Sequence, residues 1–388
     1  MNKPDVLIIG GGVIGASAAY HLAALGCRSV IVIDGGDEPG GGSTGKATGG
    51  FRCQFATEVN IRLSLLSRQK LLAFEEETGV DPGYRQHGYL FLARKERELE
   101  ALRSALALQH RCGLIEAREE PPDVLRILNP ALSADGIIGG TFCPTDGFIR
   151  PMSILRGYTE AARRLGVRFD YGVECTGCTV DPDAGLISRV ETSAGAFGAG
   201  IVVNAAGAWA AHVGRLAGAE IPVEPLRRQV AVVRETHLLP ETMPMTIFAG
   251  DGFHLRVRDE RVLLLMPTDE PRRGSFDLGV EEEWLNLVHA ISRERIAPLA
   301  HSTIDRSLSW SGLYEMSPDK HALLGQMQQV GNLYLANGSS GHGVMHAPAI
   351  GELLAELIMR GEARAMDVRP LRPSRFAEGE PNDLTEFL

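Results

Sequence analysis

The chain has 388 residues, 45 of them glycine, and 39 Lys and Arg against 49 Asp and Glu give a formal charge of −10. Hydrophobic residues at 44% and charged residues at 23% exclude a disordered or coiled-coil chain, and the acidic balance argues against general nucleic-acid binding, which needs a basic surface. No run reaches the ~18 uncharged apolar residues of a membrane span.

Residues 5–9 form a short apolar run, read as a buried parallel strand. Gly10-Gly11-Gly12-Val13-Ile14-Gly15 follows, then a helix of small residues from Ala16 to Leu25 that Gly26 stops. Residues 29–33 are a second strand, ending at Asp34. Glycines break the apolar stretch from Val6 to Leu25, and it has no basic leader or Ala-x-Ala site, so it reads as fold and not as a signal peptide.

Strand, Gly10-x-Gly12-x-x-Gly15, helix and an acid at the end of the next strand together make a dinucleotide-binding unit. Gly10 makes the tight turn, Gly12 lets the backbone approach a pyrophosphate, and Gly15 packs helix on strand. Val13 and Ile14 of the same loop are also assigned to the cofactor, and the N–H groups and dipole of the helix that follows face the phosphates. Asp34 is expected to hold a ribose hydroxyl and to disfavour a 2′-phosphate.

The glycine-rich stretch 35–50 is either a mobile linker or backbone wrapped on a ligand. Residues 58–78 read as a long helix, 88–93 as a strand and 96–109 as a charged surface helix. Pro151 starts a helix that Gly166 stops, and 167–171 is a strand. Residues 201–207 form a strand entering a small-residue turn and a helix near Trp209. Short alternating runs between 224 and 312, such as 229–233 and 261–265, predict an antiparallel sheet. Glu281-Glu282-Glu283 reads as a solvated charge run that opens a surface helix with Trp284. Residues 332–338 are a strand entering a glycine loop, followed by a helix from about Ala347 to Arg360. The Pro-rich, polar tail beyond Arg369 predicts an extended arm. The six cysteines are scattered and give no disulfide framework, so a reduced, cytoplasmic setting is expected. Cys175-x-x-Cys178 has no second pair, and no metal is expected there.

In an NAD enzyme the two halves of the nucleotide sheet come consecutively, whereas here other material intervenes, and a glycine-rich stretch follows Asp34. FAD is therefore the expected cofactor. The expected fold is mixed α/β: a Rossmann-like FAD-binding domain from discontinuous segments (1–80, 145–220, 320–365), an antiparallel-sheet substrate domain (81–144, 221–319) and a C-terminal arm (366–388).

Further motifs carry a family resemblance. They are Gly42-Ser43-Thr44-Gly45, Arg52-Cys53-Gln54-Phe55, Gly88-Tyr89-Leu90-Phe91-Leu92, Pro144-Thr145-Asp146-Gly147, the run 202–210, Trp310-Ser311-Gly312-Leu313-Tyr314, Ser317-Pro318-Asp319 and the run 341–351 beginning Gly341-His342-Gly343. With these the chain resembles the D-amino-acid-oxidase and sarcosine-oxidase superfamily of FAD amine oxidoreductases. Within it, the chain is similar to beta subunits of heteromeric sarcosine oxidase and of dye-linked L-proline dehydrogenase.

The resemblance implies oxidation of a secondary amine or an amino or imino acid, sarcosine-, glycine- or proline-like, by hydride transfer to the flavin. It also implies an alpha-type partner subunit or another electron acceptor. A 2-hydroxy-acid or glycerol-phosphate dehydrogenase on the same fold, or a flavin-carrying assembly factor, stands as the alternative. The resemblance puts Gly42, Ser43 and Thr44 at the pyrophosphate, Thr48, Gly49 and Gly50 close to the flavin ring, and Val173 at the adenine end. Ala206, Gly207 and Trp209 make a second nucleotide contact, and Gly341, His342, Gly343, Val344 and Met345 run along the pyrimidine. Monomeric sarcosine oxidases hold FAD covalently through a Cys at the position of Gly312, so FAD is expected to be non-covalent. Arg52 stands where those oxidases bind the substrate carboxylate, and Met345 stands where they have a second carboxylate-binding Lys. His254 is a candidate to face the substrate, as is Arg256, which is assigned to the opposite side of its strand. Sarcosine oxidases have an oxygen-activating Lys, but residues 262–268 contain none, so a dehydrogenase is expected more than an oxidase.

Overall fold

The computed structural model of the chain describes residues 3–133, 136–198, 200–268 and 273–384. Among these residues a 6-stranded sheet runs in the order Leu323–Gln326, Leu333–Asn337, Ile201–Asn204, Val6–Ile9, Val30–Asp34, Arg168–Tyr171. All neighbours pair parallel except Leu323–Gln326 with Leu333–Asn337. Both faces are covered, which is why the central strands read as unbroken apolar runs and not as alternation. Val6, Ile8, Val30 and Val32 pack on the helices Val13–Ala24, Pro151–Arg164 and Gly343–Arg360. Leu7, Ile9, Ile31 and Ile33 pack against Val213 of the helix Ala210–Leu216 and Ile187 of a 3-stranded outer sheet. The first helix is built of small residues, and Gly343–Arg360 lies so close to it that a Cβ at Gly351 would overlap Ser17.

A second, 8-stranded sheet runs Trp310–Met316, Glu224–Thr236, Arg261–Leu265, His254–Arg258, Met245–Phe248, Tyr89–Ala93, Gly139–Cys143, Arg118–Glu120. The antiparallel pairing expected over 224–312 is present. Met245–Phe248 also pairs parallel with Tyr89–Ala93, a long-range joint that periodicity cannot reveal. Along Glu224–Thr236 successive side chains alternate between faces. Val230 and Val232 join Leu263 and Leu265 on one face, and Ala231 and Val233 join Leu264 and Trp284 on the other.

Three local expectations need correction. The last long helix begins at Gly343 and not near Ala347, and it carries Pro348 in its second turn, where one backbone donor is lost without breaking the helix. Glu281 is not merely solvated: its carboxylate pairs with the buried Arg227 and accepts from Gln229. The tail is not an extended arm. It folds into the short turns Arg369–Leu371 and Pro373–Phe376, and Arg375 is fully buried on Asp319 through two bonds of 2.8 Å. Its polar composition reflects this internal pairing; residues 385–388 lie outside the described residues. Among the described residues no helix is long and apolar enough to cross a membrane.

Candidate active site

The C-terminal ends of the parallel strands open into a cleft of about 620 Å³. Its wall takes Gly10, Gly12, Val13, Ile14, Asp34, Gly42, Ser43, Thr44, Thr48, Gly49, Gly50, Val173, Ala206, Gly207, Trp209, Gly312, Gly341, Gly343, Val344 and Met345. Of the cofactor residues expected from sequence, Gly15 and His342 stand behind this wall. The glycine-rich stretch is therefore wrapped backbone and not a linker.

Backbone geometry explains the glycines. Gly10 sits at φ +113°, and a Cβ there would overlap the Ala205 carbonyl. A Cβ at Gly15 would overlap the Gly10 carbonyl. Gly12 is the N-cap of Val13–Ala24 and has no side chain to cap it; the Val13 N–H donates to Thr44 Oγ1 at 3.1 Å. The helix Gly343–Arg360 also lacks a side-chain cap, and neither helix has an acid in its first turn. Two positive helix ends without an N-cap side chain of their own or an acid in the first turn thus face one cleft, a setting for anionic groups. Asp34 accepts the Gly11 and Gly36 N–H groups at 2.6 and 2.8 Å, which orients its carboxylate at the cleft wall with lone pairs to spare. Val173 is drawn in by its N–H bond to the Asp34 carbonyl at 2.8 Å.

Arg52 is buried beside this cleft. Its guanidinium donates to the Gln54 carbonyl at 2.5 Å, lies 3.3 Å from His342 Nε2, and sits 3.9 Å above the Phe55 ring. Burial lowers it to about 10, so it stays charged at neutral pH. The segment is fixed from behind by Asp146, which accepts the Cys53 N–H at 2.7 Å and Gln54 Nε2 at 3.1 Å. Burial pushes Asp146 up to about 6. Burial, then the charge of Arg52, holds His342 well below its ordinary value, so its Nε2 accepts.

His254 and Arg256 share a face, contrary to the assignment of Arg256 to the opposite side: residues two apart on a strand point the same way. They pair with Leu265 and Leu263, two of the four apolar residues on the face that turns Val230 and Leu265 to the cleft. His254 Nδ1 is 2.8 Å from the Gly252 carbonyl, which leaves Nε2 as an acceptor, and burial pushes the ring down to about 4. The Arg256 guanidinium donates to the Thr48 and Gly49 carbonyls at 2.6 and 2.9 Å and stacks 3.8 Å from the Phe148 ring, so it shapes the glycine loop. Met345 is buried in the first turn of Gly343–Arg360, on the cleft wall. A Cβ at Gly312 would be 2.8 Å from Lys46 Cβ, so the short helix Ser43–Lys46 fills the space beside it.

Sequence reasoning misses Arg228, Tyr314 and Glu315 on the cleft wall, and the role of Asp146 behind Arg52. For Arg228 a signal exists: Arg227 and Arg228 are consecutive on a strand and so must face opposite sides.

A family model described as FAD dependent oxidoreductase matches residues 5–357. The chain belongs to that family. The expected kinship with FAD amine oxidoreductases and the mixed α/β fold are confirmed, and FAD is the cofactor of this oxidoreductase. The crystal structure of L-proline dehydrogenase from P. horikoshii superposes with a TM-score of 0.89 at 29% identity, covering 98% of this chain and 100% of that one. FAD-dependent oxidoreductase domain-containing protein 1 of Xenopus laevis is 28% identical over 98% of this chain and 84% of its own length. Mitochondrial dimethylglycine dehydrogenase of Rattus norvegicus is 28% identical over 99% of this chain but 46% of its own, so the chain spans about half of that relative.

Proposed function

We propose that this FAD-dependent oxidoreductase oxidises a secondary amine or an amino or imino acid, sarcosine-, glycine- or proline-like, to the imine. The observation that carries the reading is Arg52, a buried guanidinium fixed beside the cofactor cleft by Gln54, His342 and the Asp146 network. Such a fork suits a carboxylate. Two relatives named for proline and dimethylglycine oxidation support it.

The body around the 6-stranded sheet holds the nucleotide, and the 8-stranded sheet supplies the substrate wall. Bound in the cleft, FAD supplies the two-electron acceptor for the C–H bond beside the substrate nitrogen. Gly12, Ser43 and Thr44 hold its pyrophosphate, Asp34 its ribose, and the helix end at Gly343 its pyrimidine edge. Gly312 in place of a thiol supports non-covalent attachment. Arg52 orients the substrate through its carboxylate. His254 Nε2 accepts the substrate N–H, and the positive field of Arg52 and Arg228 on that position favours the neutral amine the reaction needs. Leu265, with Val230, presents an apolar wall, which supports a dehydrogenase handing electrons to a quinone, a dye or a partner subunit. The free cysteines support a reducing, cytoplasmic setting.

Steady-state kinetics with matched substrates, an N-methyl amino acid and the same amine without its carboxylate, test the reading. The wild type should prefer the carboxylate partner, and Arg52→Ala should lose about 2–5 kcal/mol of that preference. Equal kcat/KM for the pair in wild type would remove Arg52 from substrate recognition.

A further inference from the structure

The chain deals with most of its buried guanidiniums internally. Arg375 lies on Asp319, Arg227 on Asp277 and Glu281, and Arg256 on the carbonyls of Thr48 and Gly49. Arg228 differs. It is on the cleft wall opposite Gly312, and its Nη1 is buried with no hydrogen-bond partner among the described residues. Its electrostatic neighbours there are Tyr314 and Arg273, neither of them a carboxylate, and Lys320 lies in the same field. The Tyr314 ring is 5.8 Å from its Cζ. In a chain of net charge −10 this is a local surplus of cations.

Alternation explains how the contrast with Arg227 arises. The odd-numbered face of the strand is turned to Glu281, where Arg227 and Gln229 are satisfied. The even-numbered face is turned to the cleft with Arg228 and Val230. Arg228 is half-buried with its Nη1 out of water and unpartnered, a costly arrangement for a cation, and a ligand that brings the counter-charge removes the cost. The Tyr314 ring, 5.8 Å from Arg228 Cζ, packs on Gly341, and the next residue, His342, lies 3.3 Å from the Arg52 guanidinium, so the two guanidiniums lie on either side of the Tyr314–His342 stretch of the site.

We propose that the substrate is an amine dicarboxylate, one carboxylate meeting Arg52 and the second meeting Arg228. This rests on the reading of Arg52 above and adds the class of substrate: an N-carboxymethyl or acidic N-alkyl amino acid, with nitrogen between the two anionic groups. The nucleotide phosphates belong to Gly12, Ser43 and Thr44 and do not use Arg228.

The test is a flavin absorbance titration of the holoprotein with two thioethers, thiodiacetate and (methylthio)acetate. Sulfur replaces nitrogen in both, and they differ in the second carboxylate. Wild type should bind thiodiacetate about tenfold tighter or more. Arg228→Gln should bring that ratio close to one, and Arg228→Lys should recover part of it. A ratio near one in wild type, or one unchanged in Arg228→Gln, overturns the second anion site while leaving Arg52 in place. No response to either thioether overturns both readings. The wild-type ratio decides even where a variant fails to retain FAD.

Discussion

Glu315 is buried with its Oε1 accepting the Ser339 N–H at 3.2 Å, while Oε2 finds no partner among the described residues. Burial pushes this carboxyl up to about 7 from an ordinary 4.5. A folded-state value above the unfolded one means that its contribution to stability is full below about 4.5 and is lost as pH rises through about 7. Glu315→Gln keeps the acceptor for Ser339 and removes the titration. The Tm of this variant minus that of wild type should therefore grow by a few degrees between pH 5 and pH 8 in thermal melts of the holoprotein. A difference that stays flat or shrinks would remove the buried charge as the cause. At this scale the sequence is legible where a residue acts through backbone shape or a local motif, as Gly10, Gly15 and Asp34 do. It is silent on Asp146, whose hold on Cys53 and Gln54 spans about ninety residues and has no local pattern. It is also silent on Glu315, whose burial depends on the loop that carries Ser339.

Helices and strands were largely readable because their periods and stop signals are local. The helix Glu58–Thr78 ends at Gly79 in the left-handed conformation, a signal visible in the sequence. The start of Gly343–Arg360 was less so, since Pro348 and the flanking glycines both resemble loop. The tail is illegible in the sequence for a different reason: its arginines look solvated until Asp319 is brought beneath them. Arg375→Ala would leave the Asp319 carboxylate buried without its cation, a loss of about 3–5 kcal/mol in urea unfolding. Arg62→Ala, which breaks the exposed pair with Glu58, should cost about 0.5 kcal/mol or less. Equal losses would show that the C-terminal turns are not anchored by that ion pair.

For the molecule as a whole, the two sheets meet at one cleft: the parallel sheet brings the positive helix ends, and the antiparallel wall brings Arg228, Leu265 and Gly312. The second sheet is itself assembled by pairings such as Met245–Phe248 with Tyr89–Ala93, which no local reading supplies. Where oxidases of the resemblance place a Lys, the strand Arg261–Leu265 presents Leu263 and Leu265 instead, and a cation there would stabilise charge developing on oxygen. Reduced protein mixed with aerated buffer in a stopped-flow instrument should reoxidise more slowly than it turns over, and an artificial dye should reoxidise it quickly. Oxygen reactivity as fast as turnover would mean that Arg228 serves in place of the Lys and that the enzyme is an oxidase.

The central claim is amine oxidation at this cleft. Its most direct measurement is anaerobic titration of the FAD-loaded protein with secondary amines and N-alkyl, cyclic and dicarboxylic amino acids, alongside 2-hydroxy acids and glycerol phosphate. Bleaching of the oxidised-flavin band by at least one of the amines, and by none of the alcohols, is the predicted result. Bleaching by a hydroxy acid or glycerol phosphate alone, or by no compound in the panel, would contradict it.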